Sequence, residues 1–221
     1  MNPKLLFLLV YLAVFIFYVI VETDRPSLKH ALSKIILASL YLSFALVKFI
    51  SNQLWNNSVD SVVMIALIFC WLGDVILIKY LYVGGILFWI ANLIFWLAEI
   101  IYLVQRNIEI FFPILLGLLL FFIIMLTVSY VTKKWKVGAV KRKFGFYYLS
   151  SVTLQGSLAL VMLFYNPGLK EITASIGLIL FMLSDYALAY NEAHSEKSDA
   201  ILRLNSILYF TGMLLVALSR G

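Results

Sequence analysis

The chain has 221 residues, 64% hydrophobic and only 13% charged, with a mean hydropathy of +1.02, whereas an ordinary soluble domain carries about a quarter charged residues. These figures exclude a conventional globular protein and indicate an integral membrane protein, a single membrane-embedded helical domain over residues 1–221. The net charge of +6 does not point to nucleic acid, because the basic residues fall in short loops between apolar runs; the partner it implies is the lipid bilayer.

Crossing a bilayer takes roughly 17–25 apolar residues, and eight runs meet this, at about 5–21, 28–50, 59–80, 82–104, 111–131, 145–165, 171–190 and 200–219. They predict an all-α fold, a polytopic membrane helix bundle with about eight transmembrane helices. The first run follows Lys4 like a secretory leader, but Tyr18-Val19-Ile20-Val21-Glu22 offers no small-x-small cleavage pattern, so it is read as a retained helix. The second is interrupted by Lys29, Lys34 and Lys48. The third ends in FCWLGDVILI, which holds Asp74 and the one cysteine, Cys70, so no disulfide can form within the chain. The fourth contains Gly84-Gly85 and, far along it, Glu99. After the fifth comes KKWKVGAVKRK, a basic loop suited to anchoring topology against anionic lipid. The seventh carries Ser184-Asp185 and the eighth Asn205.

Loops after odd-numbered runs hold Arg25, Lys29, Lys79, the six bases of KKWKVGAVKRK, Lys197 and Arg203; the opposite side holds Lys4, Lys48, Arg106, Lys170 and Arg220. Eleven against five places the odd loops in the cytoplasm and both termini outside. The expected location is a bacterial inner membrane or a eukaryotic endomembrane.

An ionisable residue inside a membrane span is costly and is a functional candidate by default. Asp74 lies five residues before Lys79, about 7.5 Å along the axis, and Asp185 seven before Glu192, about 10 Å. Lys34 and Asn205 each lie six residues inside helices that start from the same side, roughly 9 Å deep. Four polar groups on four helices at one depth predict a cytoplasm-facing pocket lined by Lys34, Asp74, Asp185 and Asn205, with Tyr186, Tyr190, Arg203 and Tyr209 near its rim. Structural readings stand beside this one. Lys34 can snorkel to the headgroups, Asn205 can bond a neighbouring helix, Ser184 can bond back to its own helix, and Gly73 and Gly177 can serve close packing. The aspartates can pair with Lys34 or Arg203. Glu99 falls about 25 Å along the fourth run, which makes it an outer-interface residue or means that the fourth helix is displaced, or broken at Gly84-Gly85.

The Gly73-Asp74 segment with Leu77, an aromatic-rich fourth run ending in Glu99 before Tyr102, GLILFMLSDYALAYNE and RLNSILYFTGMLLVALS together resemble the YhhN-like lysoplasmalogenase family, eight-span membrane proteins of about this length. The most specific pieces are the two Asp segments, the second comprising Phe181, Ser184-Asp185, Leu188 and Asn191. The chain departs from the family pattern at Glu99, usually His, at Met213, usually Gln, and at Ile35, usually Pro.

The resemblance implies hydrolysis of the vinyl ether of a lysoplasmalogen to a fatty aldehyde and glycerophospho-ethanolamine or glycerophospho-choline, so the expected partner is a lysophospholipid. Asp74 and Asp185 would be the acid/base pair. In an apolar pocket, burial and mutual repulsion allow one carboxyl to donate a proton while the other stays ionised. Glycosidases divide the work in the same way for a related cation. Lys34 or Arg203 would bind the phosphate and Asn205 would orient water, with Tyr186, Tyr190 and Tyr209 as further substrate-binding residues. Glu99 and Ser184 are additional candidates. No cofactor or metal is required.

An intramembrane aspartyl protease of the presenilin kind needs Gly-x-Gly-Asp, but Trp71 stands at its first position and Ser184 where Tyr is expected. The non-enzyme alternative is a small-molecule or lipid transporter, or a non-catalytic lipid-binding protein, since buried acids also mark ion pathways; no convincing internal repeat supports it. His30 and His194, both near loops, form no zinc cluster, and neither a Gly-x-Ser-x-Gly elbow nor a phosphate loop occurs.

Overall fold

The computed structural model describes residues 3–24, 27–133, 138–165, 168–194 and 196–220, without the side chains of residues 3 and 4. Arg25, Lys134 and Lys136 of the orientation argument therefore lie outside the described residues, as does the Lys4 side chain. Among the described residues eight α-helices follow in order: α1 (Pro3–Val21), α2 (Leu28–Ser51), α3 (Ser58–Leu77), α4 (Leu81–Gln105), α5 (Phe111–Thr132), α6 (Ala139–Tyr165), α7 (Leu169–Ala193) and α8 (Asp199–Ser219), with a short 3-10 turn at Leu54–Asn56. No strand occurs among the described residues. Seven of them, α2–α8, are long and apolar enough to cross a membrane; the apolar stretch of α1, Leu5–Val21, is shorter. The chain is a multi-pass membrane protein.

Local sequence sets the helix starts. Ser27 accepts from the His30 amide at 3.1 Å, Asn57 from Val59 at 3.0 Å and Ser198 from Ile201 at 3.4 Å, each satisfying an amide that the first turn leaves unpaired. The α7–α8 turn is closed from inside: Asn191 Oδ1 accepts from the Ser198 amide at 2.8 Å.

Packing order gives the architecture. The helices α2, α3, α4, α6, α7 and α8 touch in that sequence and close into a six-membered ring, because α8 returns to α2. The first helix covers the seam between α2 and α8, while α5 stands outside against α6. Tyr41, Phe95, Phe181 and Phe210 fill the ring interior at 0–1% exposure, whereas Leu6, Ile20, Phe122, Leu126 and Phe164 face outward, as a hydrocarbon solvent permits.

Two close approaches fix the ring. A Cβ on Gly177 would stand 2.7 Å from the Gly212 carbonyl oxygen, and one on Gly212 would stand 2.6 Å from that of Gly177, so α7 and α8 cross backbone to backbone. A Cβ on Gly84 would meet the Leu77 Cα at 2.8 Å, which draws the start of α4 against the end of α3. The fourth helix runs unbroken through Gly84-Gly85, so Glu99 belongs to its far half and the broken-helix alternative falls.

Candidate active site

One end of the ring encloses a cavity of about 500 Å³, bounded by the end of α3, the start of α4, the end of α5, the start of α6, the end of α7 and the start of α8. Lys34, Asp74, Asp185, Asn205 and Tyr209 all line it. Five of the expected pocket residues therefore meet at one place. Most of its remaining wall is apolar, from Leu77, Phe88, Leu149, Leu188 and Phe210.

Asp74 is 1% exposed. Its Oδ2 accepts from Tyr209 Oη at 2.6 Å and from Tyr41 Oη at 3.2 Å, and Lys34 Nζ lies 3.2 Å from Oδ1. Lys34 is itself only 7% exposed, so it does not snorkel to the headgroups, and its ammonium serves Asp74 in an ion pair. The two tyrosines arrive from α2 and α8, Tyr41 standing seven residues after Lys34 on the same helix face.

Asp185 has a sparser setting. Its Oδ2 accepts from Tyr148 Oη at 2.7 Å, and the side chain is 5% exposed on the same cavity. Tyr148 comes from FGFYYLSS near the start of α6 and stacks along Phe144, ring centres 6.4 Å apart. Phe144 in turn packs edge-on against Tyr82 of α4 at 5.1 Å. Aromatic contacts across α4 and α6 thus hold the hydroxyl that reaches Asp185.

The other expected residues lie elsewhere. Arg203 is exposed and outside the cavity wall, because it sits on the outer face of α8. Tyr190 is 46% exposed against His194, at 4.1 Å between ring centres. Tyr186 turns toward α6 and bonds Thr153. Ser184 donates to the Phe181 carbonyl at 2.7 Å, the back-bonding alternative for a membrane serine. Glu99 lines a separate small cavity of about 30 Å³ with Tyr102, Glu171, Ser175 and Arg220; neither of its oxygens has a hydrogen-bond partner among the described residues. Its distance along α4 from Gly85, which borders the large cavity, is 14 residues, about 21 Å.

Sequence reasoning missed Tyr41, Tyr148 and the cavity-lining bases Lys141, Arg142 and Lys143. Spacing from Lys34 could have found Tyr41. Nothing in the pattern distinguishes Tyr148 from a dozen other tyrosines, and a basic run between spans is fully accounted for by topology.

A family model described as the YhhN family matches residues 29–220. No curated protein and no solved structure matches the chain.

Proposed function

Because the chain belongs to the YhhN family, we propose that it is a membrane hydrolase that cleaves the vinyl ether of lysoplasmalogens, using Asp185 as the proton donor and Asp74 as the carboxylate. The observation that carries this reading is the pair of buried aspartates on one apolar cavity, each with its own donor set.

The two donor sets suit different tasks. A carboxylate that receives an ammonium and two hydroxyls is stabilised as the anion, which fits Asp74 for activating water and for facing a developing cation. Asp185 receives one phenol, which leaves it suited to hold and deliver a proton. The step begins with proton transfer from Asp185 to the β-carbon of the enol ether, as the C=C electron pair forms the new C–H bond. The ether oxygen shares the positive charge as an oxocarbenium ion. Water attacks the α-carbon and gives a proton to Asp74, forming a hemiacetal. Its collapse breaks the bond to the glycerol oxygen, which takes a proton as the hydroxyl proton leaves. The products are aldehyde and alcohol, with one water consumed and the acid/base pair restored by proton exchange.

Access supports a lipid substrate. Leu81 and Tyr82 of α4 and Val128 and Thr132 of α5 border the cavity, yet α4 and α5 share no extended packing because α5 stands outside the ring. An alkenyl tail can lie in that gap without leaving hydrocarbon. The mechanism is tested by turnover in D2O with the aldehyde trapped as it forms. Protonation at carbon places one deuterium on the carbon next to the carbonyl; an aldehyde without it contradicts the assigned step.

A further inference from the structure

Glu99 is a buried acid that the proposed reaction leaves unused. It is 8% exposed, and neither carboxylate oxygen has a hydrogen-bond partner among the described residues. An ionisable group so placed in a membrane bundle is costly unless something binds it. We propose that Glu99 is the central ligand of a structural site for one sodium-sized monovalent cation, inside the ring at the end opposite the large cavity. The site is independent of the hydrolase reading.

Geometry is the first argument. Glu99 and Tyr102 stand three residues apart on α4, and Glu171 and Ser175 four apart on α7, so each pair lies on one helix face. All four line one small cavity of about 30 Å³, which has room for one or two water-sized occupants and none for an organic ligand. Carboxylate and hydroxyl oxygens are the ligands that hard cations take. Apart from these four and Arg220, the wall is apolar.

Charge is the second argument. Arg220 is the one base among the described residues on that wall. Its Nη1 donates to Asp60 Oδ1 at 3.2 Å and its Nε to Ser219 Oγ at 3.1 Å, so its charge answers Asp60 and no hydrogen bond joins it to Glu99. Glu171 is half-buried in the first turn of α7, where unpaired amides and the helix dipole favour an acid. One fully buried charge is left, and one monovalent ion neutralises it. A proton would also neutralise it, but a protonated carboxyl needs an acceptor for its O–H, and no described group stands within hydrogen-bonding reach of either oxygen. The described residues bring together no three acids, histidines or cysteines, unlike the carboxylate-rich cages of calcium, and a divalent ion would leave a positive charge in a low dielectric.

The test is thermal unfolding of the purified full chain in detergent, in sodium, potassium, calcium or N-methylglucamine chloride at equal ionic strength, paired with equilibrium binding of radioactive sodium. The proteins are wild type, Glu99→Gln, Glu171→Gln and Glu109→Gln, an exposed acid outside the cavity. The expected result is one sodium per chain and a wild-type midpoint at least about 3 °C higher in saturating sodium than in N-methylglucamine, with Glu109→Gln responding as wild type. Glu99→Gln keeps the shape and removes the charge, so it should unfold cooperatively at the same midpoint in every salt and bind no sodium. Glu171→Gln should weaken sodium at least tenfold. A wild-type midpoint that ignores the cation, a sodium response that survives in Glu99→Gln, or tighter binding of calcium than of sodium would overturn the proposal. So would a wild-type midpoint that rises on acidification but not with sodium, which would mark Glu99 as a protonated acid.

Discussion

At the residue scale the site is an inventory of donors. Asp74 collects three and Asp185 one, and the proposed division of roles rests on that difference. Tyr209→Phe removes the shortest bond to Asp74 and is expected to lower kcat by about 10-fold, in line with about 1.5–3 kcal/mol for a hydrogen bond to a charged group. Steady-state kinetics should show KM moving less. Lys34→Met strands a buried carboxylate and is expected to cost about 3–5 kcal/mol of stability, while Lys34→Met/Asp74→Leu recovers most of it; thermal unfolding in detergent reads both, and equal losses would deny the pair. Glu99→Gln should leave kcat/KM within twofold, since Glu99 stands about 21 Å along α4 from Gly85 at the cavity wall. The acids were legible because a carboxylate in an apolar run is conspicuous. Their partners were not: tyrosine is ordinary in a membrane span, and only the fold shows which hydroxyls turn inward.

Among the elements, hydropathy located each of the eight α-helices, since a run of apolar residues long enough to span hydrocarbon has few other uses. The second run looked weakest because of Lys34, whose partner lies forty residues away on α3. Depth counting then brought Lys34, Asp74, Asp185 and Asn205 to one level, because helical rise is constant. It carried no information about rotation, so Arg203 and Tyr190 shared the depth but face away from the cavity. The crossing of α7 and α8 depends on two glycines that almost touch. Gly177→Ala is expected to cost about 1–3 kcal/mol from overpacking against backbone that cannot give way, while Gly138→Ala, with nothing among the described residues within 4 Å of the added carbon, should be neutral. Comparing the two unfolding midpoints checks this.

In the whole molecule, the ring explains why basic residues that serve topology also border the site. The cavity opens at the end where α6 begins with Lys141, Arg142 and Lys143, the side that we propose faces the cytoplasm because basic residues favour it. Cys70, the single cysteine, is fully buried, and replacing it by Ala gives a background for mapping sides. In that background Lys143→Cys should be labelled by an impermeant maleimide only from the cytoplasm and Arg106→Cys only from the opposite side; the reverse pattern would invert the topology. The ring closure itself was beyond sequence reasoning, because all eight runs are apolar and nothing in them says that α5 stands outside.

The proposed reaction requires Asp74 and Asp185 to act together on a vinyl ether. Its most direct test is aldehyde release from a defined 1-alkenyl lysophospholipid by the purified protein, beside folded Asp74→Asn and Asp185→Asn and with the saturated ether as control substrate. The expected result is aldehyde from the alkenyl lipid alone, reduced about 10²–10⁴-fold in each variant, the range for a lost acid or base. Full activity in either variant, or none in the folded wild type, would contradict it.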